Sequence, residues 1–157
     1  MLWAFQEVGH SLWDLDVPAP PNLVSIWHNG RRIDAVAQVT KMGNTLLLDR
    51  LSGKPLFPFR LRRTPRSKVA AEHTWPYQPA LELPHPFARQ VFTLNDVTTI
   101  SPKSCAFVLK QIDGAAFGRF EPPRIGRPIV FYRDHGGAEW TGASFDPTEG
   151  RLYVSAN

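Results

Sequence analysis

The chain has 157 residues, 43% of them hydrophobic and 20% charged, which fits a globular domain and excludes wholesale disorder. Its 18 Lys and Arg against 14 Asp and Glu leave a net charge of +4, and its one cysteine excludes an intramolecular disulfide or a multi-cysteine metal site. Fifteen prolines argue against a helix bundle and for short strands joined by irregular connections.

Residues 2–8 alternate weakly and predict a strand, followed by a turn-rich stretch that ends in Pro18-Ala19-Pro20-Pro21. A strand is predicted over 23–27, and Asn29-Gly30 is a two-residue hairpin signal, because both central residues of a type I′ turn need positive φ. The return strand spans 33–39, Met42-Gly43-Asn44 turns the chain, and a third strand runs from Thr45 to Asp49. Leu51-Ser52-Gly53-Lys54 then turns into Pro55-Leu56-Phe57. Such a meander with tight turns predicts an all-β sheet or propeller blade.

From 58 to 102 the pattern fails, and the stretch reads as a long Pro-rich insertion with extended pieces, including Val91-Phe92-Thr93. Ser101-Pro102 has the form of a helix start, Ala106, Phe107, Leu109 and Ile112 give a helical stripe, and Gly114 stops it. Strands are predicted again over 128–131, 140–145 and 152–154, with Asp146-Pro147-Thr148-Glu149-Gly150 as the last turn. Leu48–Lys54 and Phe145–Arg151 share the pattern apolar-Asp-x-x-x-Gly-basic, which reads either as a blade repeat or as two unrelated turns.

No apolar run approaches the roughly 18 residues of a membrane-spanning helix. The first residues lack a basic region followed by a long apolar one, so they are not expected to be a secretory leader. They read as a strand begun without a lead-in, and the chain is expected to be an internal piece of a longer protein.

Arg60, Arg62, Arg63, Arg66 and Lys68 form a basic run. A phosphate-binding patch is one reading. Neither aromatic platforms nor a Gly-rich signature accompanies the run, so a solvated loop without a nucleic-acid partner is preferred. Chemistry concentrates instead in His10-Ser11-Leu12-Trp13-Asp14-Leu15-Asp16. In extended chain Asp14 and Asp16 point the same way, and they either share a cation, split base and ligand roles, or form a solvated turn. Lys41, at a strand end, is either simply exposed or set against a developing oxyanion.

The ordered series Trp13–Pro21, Ala37–Asn44, Leu48–Pro58, Pro86–Gln90, Phe120–Pro123 and Gly136–Gly142 resembles pyrroloquinoline-quinone (PQQ)-dependent dehydrogenases, in particular their quinoprotein glucose dehydrogenase branch. The resemblance covers about residues 3–157. It implies an eight-bladed β-propeller, of which this chain is a portion, roughly two to three blades at about 40–50 residues each. It also implies that Asp14 is the catalytic base and that Lys41 lies beside the quinone oxygens, polarising them. By the same resemblance His10, Glu139 and Trp140 lie near the cofactor.

PQQ and a divalent cation, calcium or magnesium, are the implied cofactors. Asp16 resembles the extra metal ligand of lanthanide-using alcohol dehydrogenases, but the glucose dehydrogenase branch also has an acid there, so a lanthanide is left open rather than inferred. The main metal ligands would come from blades outside this chain. The implied partners are a sugar or alcohol substrate and an electron acceptor such as ubiquinone or a cytochrome. The implied place is the periplasm, with any membrane anchor outside this chain. Where relatives often carry His-His-Asp, this sequence has Gly9-His10-Ser11, so an uncharged hydroxyl replaces an acid. That departure and the missing blades leave a noncatalytic propeller scaffold as the alternative.

Overall fold

The computed structural model describes residues 1–132 and 136–157. The described residues are mostly strand and irregular chain with one α-helix, as the composition predicts. Asn29 (φ 52°) and Gly30 (φ 76°) both take the left-handed conformation that a type I′ turn demands. They close a hairpin between β1 (Asn22–His28) and β2 (Arg31–Val39), and the flanking pair His28–Arg31 fixes the register. A third strand, β3 (Thr45–Asp49), pairs with β2 from Ala35–Asp49 to Val39–Thr45.

β2 is therefore central, and its second half is apolar on both faces: Ala35, Val36, Ala37 and Val39 are all buried. On one face Val36, Leu46 and Leu48 pack with Leu81, and Trp3, Phe5 and Phe59 border them. On the other, Val24, Ala35 and Ala37 pack near Ile26, Leu47 and Phe145. A third cluster, Val8, Trp13, Leu15, Met42 and Phe120, lies apart from the sheet and underlies the acidic segment.

Residues 2–8 form no strand. Their alternation does report burial, since Trp3 and Phe5 reach the sheet core, but a ladder also needs a neighbouring strand edge. The 58–102 stretch contains a strand pair the sequence pattern hid. β4 (Phe59–Arg63) pairs antiparallel with β5 (Tyr77–Leu81), and the turn-prone connection between them had concealed it. The Arg-rich run thus starts on a strand rather than in a loop, with Arg60 and Arg62 3.9 and 3.6 Å from Glu82. Val91–Thr93 is irregular and leads into a 3₁₀ turn at Leu94–Asp96.

The helix α1 (Pro102–Gln111) begins as read: the Ser101 hydroxyl accepts from the Ser104 amide at 3.1 Å and Pro102 fills the first position. Its apolar stripe is uncovered, and Phe107 is exposed. Two short strands, β6 (Ala116–Phe117) and β7 (Ile129–Val130), pair in parallel. The last hairpin joins β8 (Ala143–Asp146) to β9 (Arg151–Val154), so the strand expected from Trp140 starts three residues later. Asn22 donates to the Ala143 carbonyl at 2.9 Å and ties β1 to β8.

The two similar sequence segments adopt the same turn. Asp49 ends β3 and accepts from the amides of Leu51 and Ser52; Asp146 ends β8 and accepts from those of Thr148 and Glu149. Gly53 and Gly150 follow at φ 68° and 66°. The difference is what covers them. The Trp3 ring lies against Gly53, with its Nε1 donating to Arg50 O at 3.1 Å, whereas nothing lies within 4 Å of a Cβ built on Gly150.

Gly53→Ala and Gly150→Ala should therefore separate. Both incur the left-handed cost of about 1–2 kcal/mol, but only Gly53→Ala also displaces Trp3. Denaturant unfolding should show the larger loss for Gly53→Ala, with a change in tryptophan emission absent from Gly150→Ala; equal losses would contradict this packing.

Candidate functional site

Leu12 to Asp16 is built on alternation. Trp13 and Leu15 are buried at 5% and 4% exposure, so Asp14 and Asp16 face outward. Trp13 anchors the segment: its indole donates to Glu121 O at 2.6 Å and its ring meets Phe120 edge-on. Ser11, the residue that departs from the resembled family, has a structural task. Its hydroxyl accepts from the amides of Leu15 at 3.1 Å and Trp13 at 3.4 Å, closing the loop that carries Asp14. A hydroxyl and a carboxylate can both accept such bonds. His10 and Asp14 both have positive φ, 44° and 55°. Left-handed conformations at non-glycine residues persist only where surrounding contacts impose them.

Lys41 lies in the turn between Val39 and Thr45, which is buried from Val39 to Asn44. The Thr40 amide donates to Asn44 O, and Gly43 N donates to Thr40 O. Two distant segments hold it. Phe87 N donates to Gly43 O at 2.9 Å, and the Gln90 side chain donates to Met42 O at 2.8 Å. From the other side Gly137 N donates to Lys41 O at 2.6 Å and Ala138 N to Thr40 O at 3.2 Å. Glycine is required there, because a Cβ on Gly137 would stand 2.6 Å from Gly43 Cα. Thr40 Oγ1 and both polar side-chain atoms of Asn44 are buried without a hydrogen-bond partner among the described residues.

The Lys41 side chain is 9% exposed, and its ammonium sits 2.9 Å from Asp14 Oδ2 and 2.8 Å from Asp16 Oδ1. Glu139 Oε1 is 4.0 Å away, beyond hydrogen-bond distance. The hydrogen bond to Asp16, then that to Asp14, holds the Lys41 pKa well above the ordinary lysine value, against the opposing effect of burial. An ammonium has three donors; two meet aspartates and the third has no partner within hydrogen-bond reach among the described residues. The Asp14 side chain is 79% exposed, so the base candidate is open to a small molecule while its Oδ2 stays fixed.

Four of the six residues singled out from the sequence thus converge: Asp14, Asp16, Lys41 and Glu139. Trp140 follows Glu139 with its side chain largely in solvent. His10 stacks on His73, ring centroids 4.7 Å apart, and with Ser11, Asp14 and Asp16 it borders a cavity of about 650 Å³. Among the described residues no three His, Cys, Asp or Glu side chains gather to hold a metal ion. The sequence reading missed Gln78, which bonds both backbone groups of Gly9. A lone glutamine on an unrecognised strand gives no signal of that.

The whole chain, residues 1–157, matches the family model described as "PQQ: Glucose/ethanol/alcohol dehydrogenase, beta-propeller domain". It is 32% identical to the quinoprotein glucose dehydrogenase of Gluconobacter oxydans (strain 621H), over 94% of this chain and 18% of that protein. It is 30% identical to the quinoprotein glucose dehydrogenase of Escherichia coli (strain K12), with the same coverage. The glycerol dehydrogenase large subunit of Gluconobacter oxydans (strain 621H) is 30% identical over 99% of this chain and 21% of that protein. The chain spans about a fifth of the length of these curated relatives. No solved structure matches it.

The Lys41 environment makes a chemical prediction. A raised folded-state pKa means that the stabilisation from Lys41 is fully present below the unfolded lysine value of about 10.4 and is lost only as pH climbs through the higher folded value. Between pH 7 and 10 the contribution is therefore constant. Over that range an amine-reactive label read by mass spectrometry should modify exposed Lys54, Lys68, Lys103 and Lys110 and spare Lys41. Labelling of Lys41 at the rate of the others would contradict the geometry.

Proposed function

Since the chain belongs to the PQQ-dependent glucose/ethanol/alcohol dehydrogenase β-propeller family, we propose that it carries the general-base half of such an enzyme's active site. The activity is oxidation of a sugar or alcohol hydroxyl, with the rest of the catalytic apparatus in the longer protein. The observation that carries this reading is the buried Lys41 ammonium held by Asp14 and Asp16, with its third donor unpartnered among the described residues. Relatives named glucose and glycerol dehydrogenases support the substrate class.

The residues present fit the quinone. When bound, PQQ supplies an ortho-quinone that accepts the two electrons leaving the substrate carbon. Lys41 is suited to donate its third N–H to a quinone oxygen, where a fixed positive charge favours the reduced, more negative oxygen. Such a donor needs no reorganisation, because Asp14 and Asp16 already orient it. Asp14 takes the hydroxyl proton on its exposed carboxylate as the substrate C–OH becomes C=O. The buried polar atoms of Thr40 and Asn44 that have no partner among the described residues mark the turn around Lys41 as suited to a polar guest. Trp140 offers an exposed aromatic face, and His10 borders the adjoining cavity.

A divalent cation fits this chain less well. Asp14 and Asp16 already face the Lys41 ammonium, so Asp16 serves as a metal ligand only alongside donors from other segments. On this reading the full-length protein works in the periplasm and passes electrons to an acceptor such as ubiquinone or a cytochrome. No described helix is long and apolar enough to cross a membrane.

In the full-length protein, Asp14→Asn should lower kcat by a factor of roughly 10²–10⁴ while the quinone absorbance titration remains saturable. Turnover within a few-fold of the parent would refute the base assignment. Loss of quinone binding would move Asp14 from proton transfer to cofactor binding.

A further inference from the structure

The segment bearing Asp14 is fixed at its start by the β4–β5 strand pair, which lies within the stretch the sequence presents as an insertion. Gln78 on β5 is fully buried. Its Nε2 donates to Gly9 O at 2.6 Å, and its Oε1 accepts from Gly9 N at 2.9 Å. One side-chain amide thus satisfies both main-chain groups of one residue, as a neighbouring strand would. Trp75 seals the same point: a Cβ on Gly9 would stand 2.9 Å from the Trp75 ring. His73 stacks on His10 one residue further on.

These contacts end where the left-handed residues begin. His10 has φ 44° and Asp14 φ 55°, and the intervening turn is closed by the Ser11 hydroxyl. On the far side Lys41 holds Asp14 and Asp16. The unfavourable conformation therefore has a restraint at each end, and Gln78 is the hydrogen-bonded one at the Gly9 end. We infer that Gln78 is a positioning residue for Asp14, acting through the Gly9 backbone to hold residues 9–16 in the conformation that presents the carboxylate. This rests on Asp14 as the general base.

The test uses the full-length protein with PQQ. Gln78→Met keeps side-chain length and removes both hydrogen bonds. Gln78→Glu keeps the acceptor for Gly9 N–H and sets a carboxylate against Gly9 O. In Gln78→Met, amide hydrogen exchange over residues 9–16 should speed up about tenfold or more, with β2 and β3 unchanged. The kcat should fall about tenfold with KM within about twofold, because orientation of the base is lost and not the pocket. Gln78→Glu should behave alike, and it decides by the same readouts if the Met variant fails to fold. Unchanged exchange over 9–16 overturns the inference, as does a uniform rise across β1–β3, which would assign Gln78 to general stability. If Asp14→Asn retains turnover, the base reading falls separately and exchange alone decides whether Gln78 holds the segment. If Asp14→Asn is inactive and Gln78→Met keeps full kcat, the inference falls and the base reading stands.

Discussion

A buried ammonium without counter-charges costs several kcal/mol to desolvate, and the candidate site is arranged around that constraint. Lys41 is held in a turn buried from Val39 to Asn44. It can stay protonated there only because two carboxylates, themselves exposed, close on it from one side. The arrangement divides labour by exposure. The cation loses its water, while Asp14 and Asp16 keep contact with solvent. A fixed charge beside an accessible carboxylate follows from that division.

Three remote stretches meet to hold this turn. Residues 87–90 bind its Met42 and Gly43 carbonyls, residues 137–138 bind the Thr40 and Lys41 carbonyls, and the acidic segment supplies the counter-charges. Close approach of main chain to main chain at Gly43 and Gly137 makes the junction possible. The hydrophobic cluster of Val8, Trp13, Leu15, Met42 and Phe120 joins one of these stretches, the acidic segment, to the turn itself. Sheet and site are joined through β2 and β3, whose ends launch and receive the turn, and through the cavity that Val36, Leu46 and Leu48 line together with Asp14 and Asp16.

What the sequence discloses follows from how local the cause is. Asn29-Gly30 specifies its own turn, Ser101-Pro102 its own helix start, and Asp49 and Asp146 their own loops, and all are legible. The acids at 14 and 16 are legible as an outward-facing pair because Trp13 and Leu15 between and beside them are apolar and buried, but the chain there is a left-handed turn closed by Ser11 and not the extended segment expected. Lys41 gains meaning only through resemblance, because nothing in its neighbours announces burial. The β4–β5 pair was hidden by prolines, one of which, Pro79, lies within a strand. Residues 2–8 misled in the opposite sense, since burial alternates without a ladder. Gln78 is invisible because its partner is backbone, 69 residues away.

The left-handed backbone at Asp14 has a consequence for how substitutions there are interpreted. Asparagine tolerates that conformation far better than alanine does. A truncation to alanine would thus remove a carboxylate and relax the loop in one stroke, whereas the amide changes charge alone. The same ambiguity attaches to His10. A conventional alanine scan across this stretch would mix chemistry with geometry and inflate the importance of the two positions whose main chain is least at ease.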